Sequence, residues 1–269
     1  MDKIWERSLG ERRKAQRYSL RDFIIGQYAP REPMLMENIH RFLLIERKIP
    51  LGIVHRIIDR FASMTISTTV MTHEEVMRFI ESIPEDFAIA RGPCACRLHT
   101  AEAFGPDAVD LAAGQYERCR QSPLDVDIQI AACGEQFGKL DTYRRISKDE
   151  LLALEKECFN LGLVANVYVL LGGEAGICHC SSSTCVPFLA NQAIGGRSNV
   201  LKKGKLLART DSSACNGTGN CVKVCHFQAR ALRKKLDRQV AVVDPSKCYG
   251  CGLCQAVCLE KAVSLVPRQ

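Results

Sequence analysis

The chain has 269 residues, 46% hydrophobic and 25% charged, the balance of an ordinary soluble protein with one large domain or two unequal ones. Its longest weakly polar run, Leu161 to Gly173, falls short of the roughly 20 apolar residues that a bilayer span needs. Met1 to Arg7 lack the apolar stretch of a secretory signal, so neither secretion nor a membrane span is expected and a cytoplasmic location is. Fifteen cysteines in such a chain point to metal or redox chemistry rather than disulfides. The net charge of +7 is uneven: +5 over residues 1–60, −8 over 61–196 and +10 over 197–269. That shift, with the seven cysteines crowded between Cys215 and Cys258, places a compositional boundary near Gly195-Gly196-Arg197.

In chain order, Glu37 to Ile49 and Ile53 to Met64 carry apolar residues at three- and four-residue steps and predict two half-buried helices, separated by Pro50 and Gly52. Thr72-His73-Glu74-Glu75 is a capping box opening a short helix to Ile83, which Pro84 stops. Phe87 to Ala90 predict a short strand leading into Arg91-Gly92-Pro93-Cys94-Ala95-Cys96-Arg97. Val126, Ile128 and Ile130 alternate with Asp125, Asp127 and Gln129, the pattern of a half-buried strand ending at Cys133. Ser147-Lys148-Asp149-Glu150 is a second capping box, for a helix to about Asn160 that Gly162 caps. A strand over Val164 to Leu171 follows, then a glycine turn over residues 172–176 and the cluster Cys178-His179-Cys180-Ser181-Ser182-Ser183-Thr184-Cys185.

The last third repeats itself. A shift of 33 residues superimposes Cys215, Cys221 and Cys225 on Cys248, Cys254 and Cys258, and pairs Asp211 with Asp244 and Gly219 with Gly252. Ala231 to Val243, between the copies, reads as a hairpin turning near Asp237. The second copy is Cys248-x2-Cys251-x2-Cys254-x3-Cys258. Three thiolates at this spacing on a tight loop surround one set of irons, and the fourth, a helical turn on, points to a second centre. Gly250 and Gly252 let backbone N–H groups come close to inorganic sulfide. A zinc site needs two cysteine pairs set farther apart.

These residues, about 209 to 267, resemble a bacterial-type dicluster ferredoxin module, in which the fourth cysteine of each motif serves the opposite cluster. The resemblance implies a 4Fe–4S cluster on Cys225, Cys248, Cys251 and Cys254, and a second centre on Cys215, Cys221 and Cys258. The chain departs from the family pattern at Thr218, where the second cysteine of the first motif belongs. Three thiolates suit a 3Fe–4S centre, or a site-differentiated 4Fe–4S centre whose fourth iron takes an outside ligand. His226 and Leu259 stand where the family has proline.

Upstream, Cys94, Cys96, Cys119, Cys133, Cys178, Cys180 and Cys185 are candidate ligands for at least one further iron–sulfur cluster, with a zinc site or buried thiols as the alternatives. Cys158, inside a helix, reads as a small core residue. With the ferredoxin-like tail, residues 87–267 resemble a broad group of poorly characterised anaerobe proteins that combine a Cys-x-Cys-Arg segment, a later cysteine-rich segment and a C-terminal dicluster ferredoxin. His179 and His226, beside cysteines, either ligate iron, bond to sulfide, or pack. No Cys-x3-Cys-x2-Cys, phosphate loop or dinucleotide fingerprint occurs.

The expected fold class is α+β: a helical cap or docking part over residues 1–84, a small mixed cysteine-rich domain over 85–196, and a pseudo-twofold ferredoxin-like domain over 197–269. The expected function is single-electron transfer by a multi-cluster iron–sulfur protein. Arg230, Arg233, Lys234, Lys235 and Arg238 offer a basic dock for an acidic redox partner, a simpler account of the charge than nucleic acid. Two other functions are open. One is a reductase binding a small-molecule substrate at an open iron, upstream or at the Thr218 corner. The other is a redox-sensing interaction protein.

Overall fold

Two capping boxes start the helices that brace the central sheet. The computed structural model describes residues 20–48, 52–98, 123–170, 174–235 and 237–268. Thr72 Oγ1 accepts from the Glu75 N–H at 3.2 Å and Glu75 Oε2 accepts from the Thr72 N–H at 3.0 Å, opening the helix His73–Glu81. Ser147 and Glu150 make the same exchange at 3.2 and 3.1 Å for the helix Lys148–Asn160, and Gly162, at φ +77°, closes its far end. Val76, Phe79 and Ile80 from the first helix and Leu151, Leu154 and Cys158 from the second pack on Ile128, Ile130, Val167 and Ile177.

The sheet these residues cover has seven strands: β1 (Ile66–Val70), β2 (Ile89–Gly92), β3 (Asp127–Ile130), β4 (Arg144–Arg145), β5 (Val164–Leu170), β6 (Glu174–Cys180) and β7 (Leu201–Lys202). Their order is β4-β2-β3-β6-β5-β1-β7, antiparallel throughout except for β1 with β7. Its second face carries Ile25 and Ala29 of the helix Leu20–Tyr28 and the adjoining turn, packed with Ala90, Cys133 and Phe137. Beyond the sheet, β8 (Leu206–Thr210) pairs with β11 (Val263–Pro267), and β9 (Arg230–Lys235) with β10 (Arg238–Val243) in the hairpin expected around Asp237. The chain is thus of mixed helix and sheet content, and none of its described helices is long and apolar enough to cross a membrane.

Four local expectations change. The sheet takes β1 from residues 1–84 and β7 from residues 197–269, so it crosses both expected boundaries; the run Ile66-Ser67-Thr68-Thr69-Val70, β-branched at all positions but Ser67, is what makes β1 a strand. The segment up to Cys180, expected to be a glycine turn leading into the cysteine cluster with no strand assigned, is the strand β6. The strand β3 is buried on both faces, Asp127 and Gln129 included, because Tyr28, Glu32 and Met36 close over its supposedly wet side. The helix Gly52–Thr65 turns His55 and Asp59 inward while Ile53, Phe61 and Met64 face out. Asp59 determines that orientation: its Oδ2 accepts from the backbone and side-chain N–H groups of Asn199, both at 2.7 Å.

Candidate metal centres

The C-terminal repeat is visible bond by bond. Asp211 accepts from Ser213 N–H at 2.8 Å and Asp244 from Ser246 N–H at 2.9 Å. Each aspartate carbonyl then takes the N–H of the first cysteine of its motif, Cys215 or Cys248, at 3.1 Å. Gly219 and Gly252 lie at φ +76° and +84°, each leading into a single helical turn. Gly250 is required on two grounds: its φ is +80°, and a Cβ there would lie 2.2 Å from the Leu206 carbonyl oxygen.

Cys225, Cys248, Cys251 and Cys254 line one cavity, so the last cysteine of the first motif meets three of the second. Cys215 and Cys258 lie beside Cys221, which gives the second group of three. Thr218 is exposed, and its N–H bonds to Asn216 Oδ1 at 3.3 Å. Backbone N–H groups of Ala229 and Ala241 point at Cys225 Sγ and Cys215 Sγ, at 3.3 and 3.4 Å. Burial pushes the Cys251 and Cys221 thiols up, and Cys254 up to about 11 against the pull of Arg230, because no charge there is welcome without a metal to neutralise it.

Arg230 is misjudged by sequence. It was expected on the basic surface with Arg233, Lys234, Lys235 and Arg238, which are exposed, but Arg230 is buried. Its Nη1 donates to Thr210 Oγ1 at 2.7 Å, while Nε and Nη2 have no partner. The guanidinium acts on Cys254 of one group and Cys221 of the other. Buried, unspent N–H donors between two sets of thiols fit anionic iron–sulfur groups on both sides.

Residues 214–262 match the family model of the 4Fe–4S dicluster domain. The C-terminal module is a 4Fe–4S dicluster domain. An iron–sulfur electron-transfer role comes with it. No curated protein matches the chain.

Upstream, five cysteines meet. Cys94, Cys96, Cys178, Cys180 and Cys185 line one cavity on the second face of the sheet. Their thiols are within hydrogen-bonding reach in sequence, Cys94 with Cys96, Cys96 with Cys185, Cys185 with Cys180 and Cys180 with Cys178. Hydrogen bonds from Cys178 and Cys185 hold Cys180 well below the ordinary thiol range, whereas the bond to Cys96 and burial push Cys94 up. Cys133 instead packs in the apolar cluster with Ile25 and Phe137, and Cys119 lies outside the described residues. Among the described residues no three His, Cys, Asp or Glu side chains converge as a single bound ion requires. Arg97 is buried beside the ring, donating to the Pro123 and His179 carbonyls at 2.5 and 2.7 Å, and its Nε is unspent.

Neither flanking histidine is available to iron. His179 Nε2 meets Glu155 Oε2 at 2.6 Å. Burial alone would lower this imidazole, but Cys158 and Glu155 outweigh it and push it up to about 10. His226 Nε2 donates to the Gly162 carbonyl at 2.8 Å, and its Nδ1 accepts from the Ser182 N–H at 3.2 Å. Sequence reasoning missed Asp127, which accepts from Tyr143 Oη and Gln129 Nε2 at 2.7 Å and from Cys178 Sγ at 3.1 Å, and also Asn166 and Glu32. An aspartate inside an alternating strand and an asparagine inside the apolar run of β5 are the signals that mark the first two.

Replacing Arg230 by Gln removes a buried cation and its N–H···S donors. Redox titration followed by EPR should show the potential of the dicluster centre beside Cys254 falling by on the order of 60 mV, a tenfold change for one electron. An unchanged potential would contradict this role.

Proposed function

We propose that the protein passes single electrons between its dicluster domain and a third iron–sulfur centre held by the upstream cysteine ring. Cys225, Cys248, Cys251 and Cys254 hold a 4Fe–4S group; Cys215, Cys221 and Cys258 hold a 3Fe–4S group as isolated, which an outside ligand converts to a site-differentiated 4Fe–4S group. Cys94, Cys96, Cys178, Cys180 and Cys185 supply the ligands of the third. Bound clusters supply one-electron chemistry at potentials set by charge, burial and N–H···S bonds.

The observation that carries the relay is the seam between the two cysteine regions. His226, next to Cys225, accepts from Ser182, which lies between Cys180 and Cys185 in the chain. Beside it Phe227 stacks on Tyr249 at 4.2 Å and tilts against Phe188 at 5.0 Å. Phe227 and Tyr249 line the dicluster cavity and Phe188 lines the upstream one. All of these cysteines but Cys94 and Cys96 belong to one packed cluster. The unspent donors of Arg97 and Arg230 support an anionic group in each region. Exposed Arg233, Lys234, Lys235 and Arg238 form the dock for an acidic partner.

Three results are expected. Full-length Cys180→Ser, purified anaerobically, loses about four irons per chain while the dicluster EPR signals persist; undiminished iron, or zinc in the wild-type protein's ring, overturns the third centre. Thr218→Cys removes the oxidised three-iron EPR signal of the wild-type protein, and absence of that signal from the wild-type protein overturns the three-iron reading. Reversing Lys234 and Lys235 to Glu slows electron exchange with an acidic ferredoxin or flavodoxin probe about tenfold at low salt and flattens its salt dependence; unchanged rates overturn the dock.

A further inference from the structure

We propose that the cavity beside the cysteine ring binds a small organic molecule, neutral or cationic, that presents an N–H or O–H donor on an apolar body. The proposal goes beyond the electron relay, and a binding measurement reads it without any electron transfer.

The cavity is not lined by thiols alone. The cysteines form one end; the rest is walled by Met36, Ile66, Leu170 and Phe188, with Thr68 and Asn166 among them. Asn166 is the telling residue. It is 2% exposed, lies on β5 directly across from Cys178 on β6, and its Oδ1 has no hydrogen-bond partner. The amide orientation is determined, because Nδ2 donates to the Val164 carbonyl at 3.1 Å, a bond an oxygen could not make.

An iron–sulfur group does not answer this orphan. Thiolates and sulfides are acceptors, so they complement the unspent donor of Arg97 but gain nothing from a second acceptor. Asn166 Oδ1 therefore asks for a donor from something else in the cavity. The charge of the walls narrows the choice further. The described lining residues include Glu32 and Asp127 and no Lys, Arg or His, and the nearby Arg97 acts on Cys94 and Cys180, so a further anion finds no cation of its own. Carboxylates and phosphates are disfavoured; amines, alcohols and amides with apolar bodies fit.

The test uses the full-length holoprotein, its iron content assayed first, titrated by calorimetry with benzylamine and with benzoate, probes of equal size and opposite charge. Benzylamine should bind and benzoate should not. Asn166→Leu should weaken benzylamine at least about tenfold and leave the probe-free EPR spectrum unchanged. Met36→Trp, which fills the apolar end from the helix Glu32–Lys48, should abolish binding, and it decides the matter if Asn166→Leu does not fold. Benzoate binding as tightly, no benzylamine binding to the folded wild-type protein, or affinity unchanged in the variants overturns the proposal. So does an altered probe-free EPR spectrum in Asn166→Leu, which would place Asn166 on the metal.

Discussion

The two-residue period of β6 sends Cys178 and Cys180 to one face of the sheet and His179 to the other, and most of the upstream site depends on that split. On the far face His179 is held by Glu155, which also meets His73 Nδ1 at 2.9 Å. A buried ion pair of this kind is weak evidence for stability, but removing one partner leaves a charge stranded. The pair therefore locks the strand against the helix Lys148–Asn160 and keeps both thiols aimed into the cavity. A slip of β6 by one residue would exchange the faces and put imidazole where the thiols belong.

Unsatisfied polar atoms give the site its chemical character. Folded proteins leave few buried donors or acceptors unpaired, and each exception calls for an explanation. Among the side chains of the described residues four such atoms are left: Nε of Arg97, Nε and Nη2 of Arg230, and Oδ1 of Asn166. The three donors lie beside cysteines and suit anionic metal–sulfide groups. The one acceptor has the opposite requirement. In the proposed reading these are two kinds of occupant, and only one of them carries electrons.

The ferredoxin-like module was legible because its chemistry is local: cysteines three and four apart, paired glycines and paired aspartates specify loop and hairpin without help from the rest of the chain. The capping boxes at Thr72 and Ser147 were legible for the same reason. What sequence concealed depends on distant cover. Asp127 and Gln129 look like a solvent face until the residues Tyr28 to Met36 fold over them. Arg230 resembles its exposed neighbours on the hairpin, yet the first residue of that strand points between the two cysteine groups. β6 carries no strand signal of its own, since glycine is disfavoured in strands, and its pairing with β3 and β5 is what makes it a strand. The upstream ring joins residues some eighty positions apart: the ends of two strands single out Cys94, Cys96, Cys178 and Cys180 as its leading contributors, but spacing does not tell Cys185, which joins them, from Cys133, which does not.

The most direct test of the third centre is anomalous diffraction at the iron edge from anaerobically grown crystals of the full-length protein. The account predicts three separate iron peaks: two in the dicluster domain, and one in the cavity lined by Cys94, Cys96, Cys178, Cys180 and Cys185. Two iron peaks only, or a zinc-edge signal within the ring, would contradict it.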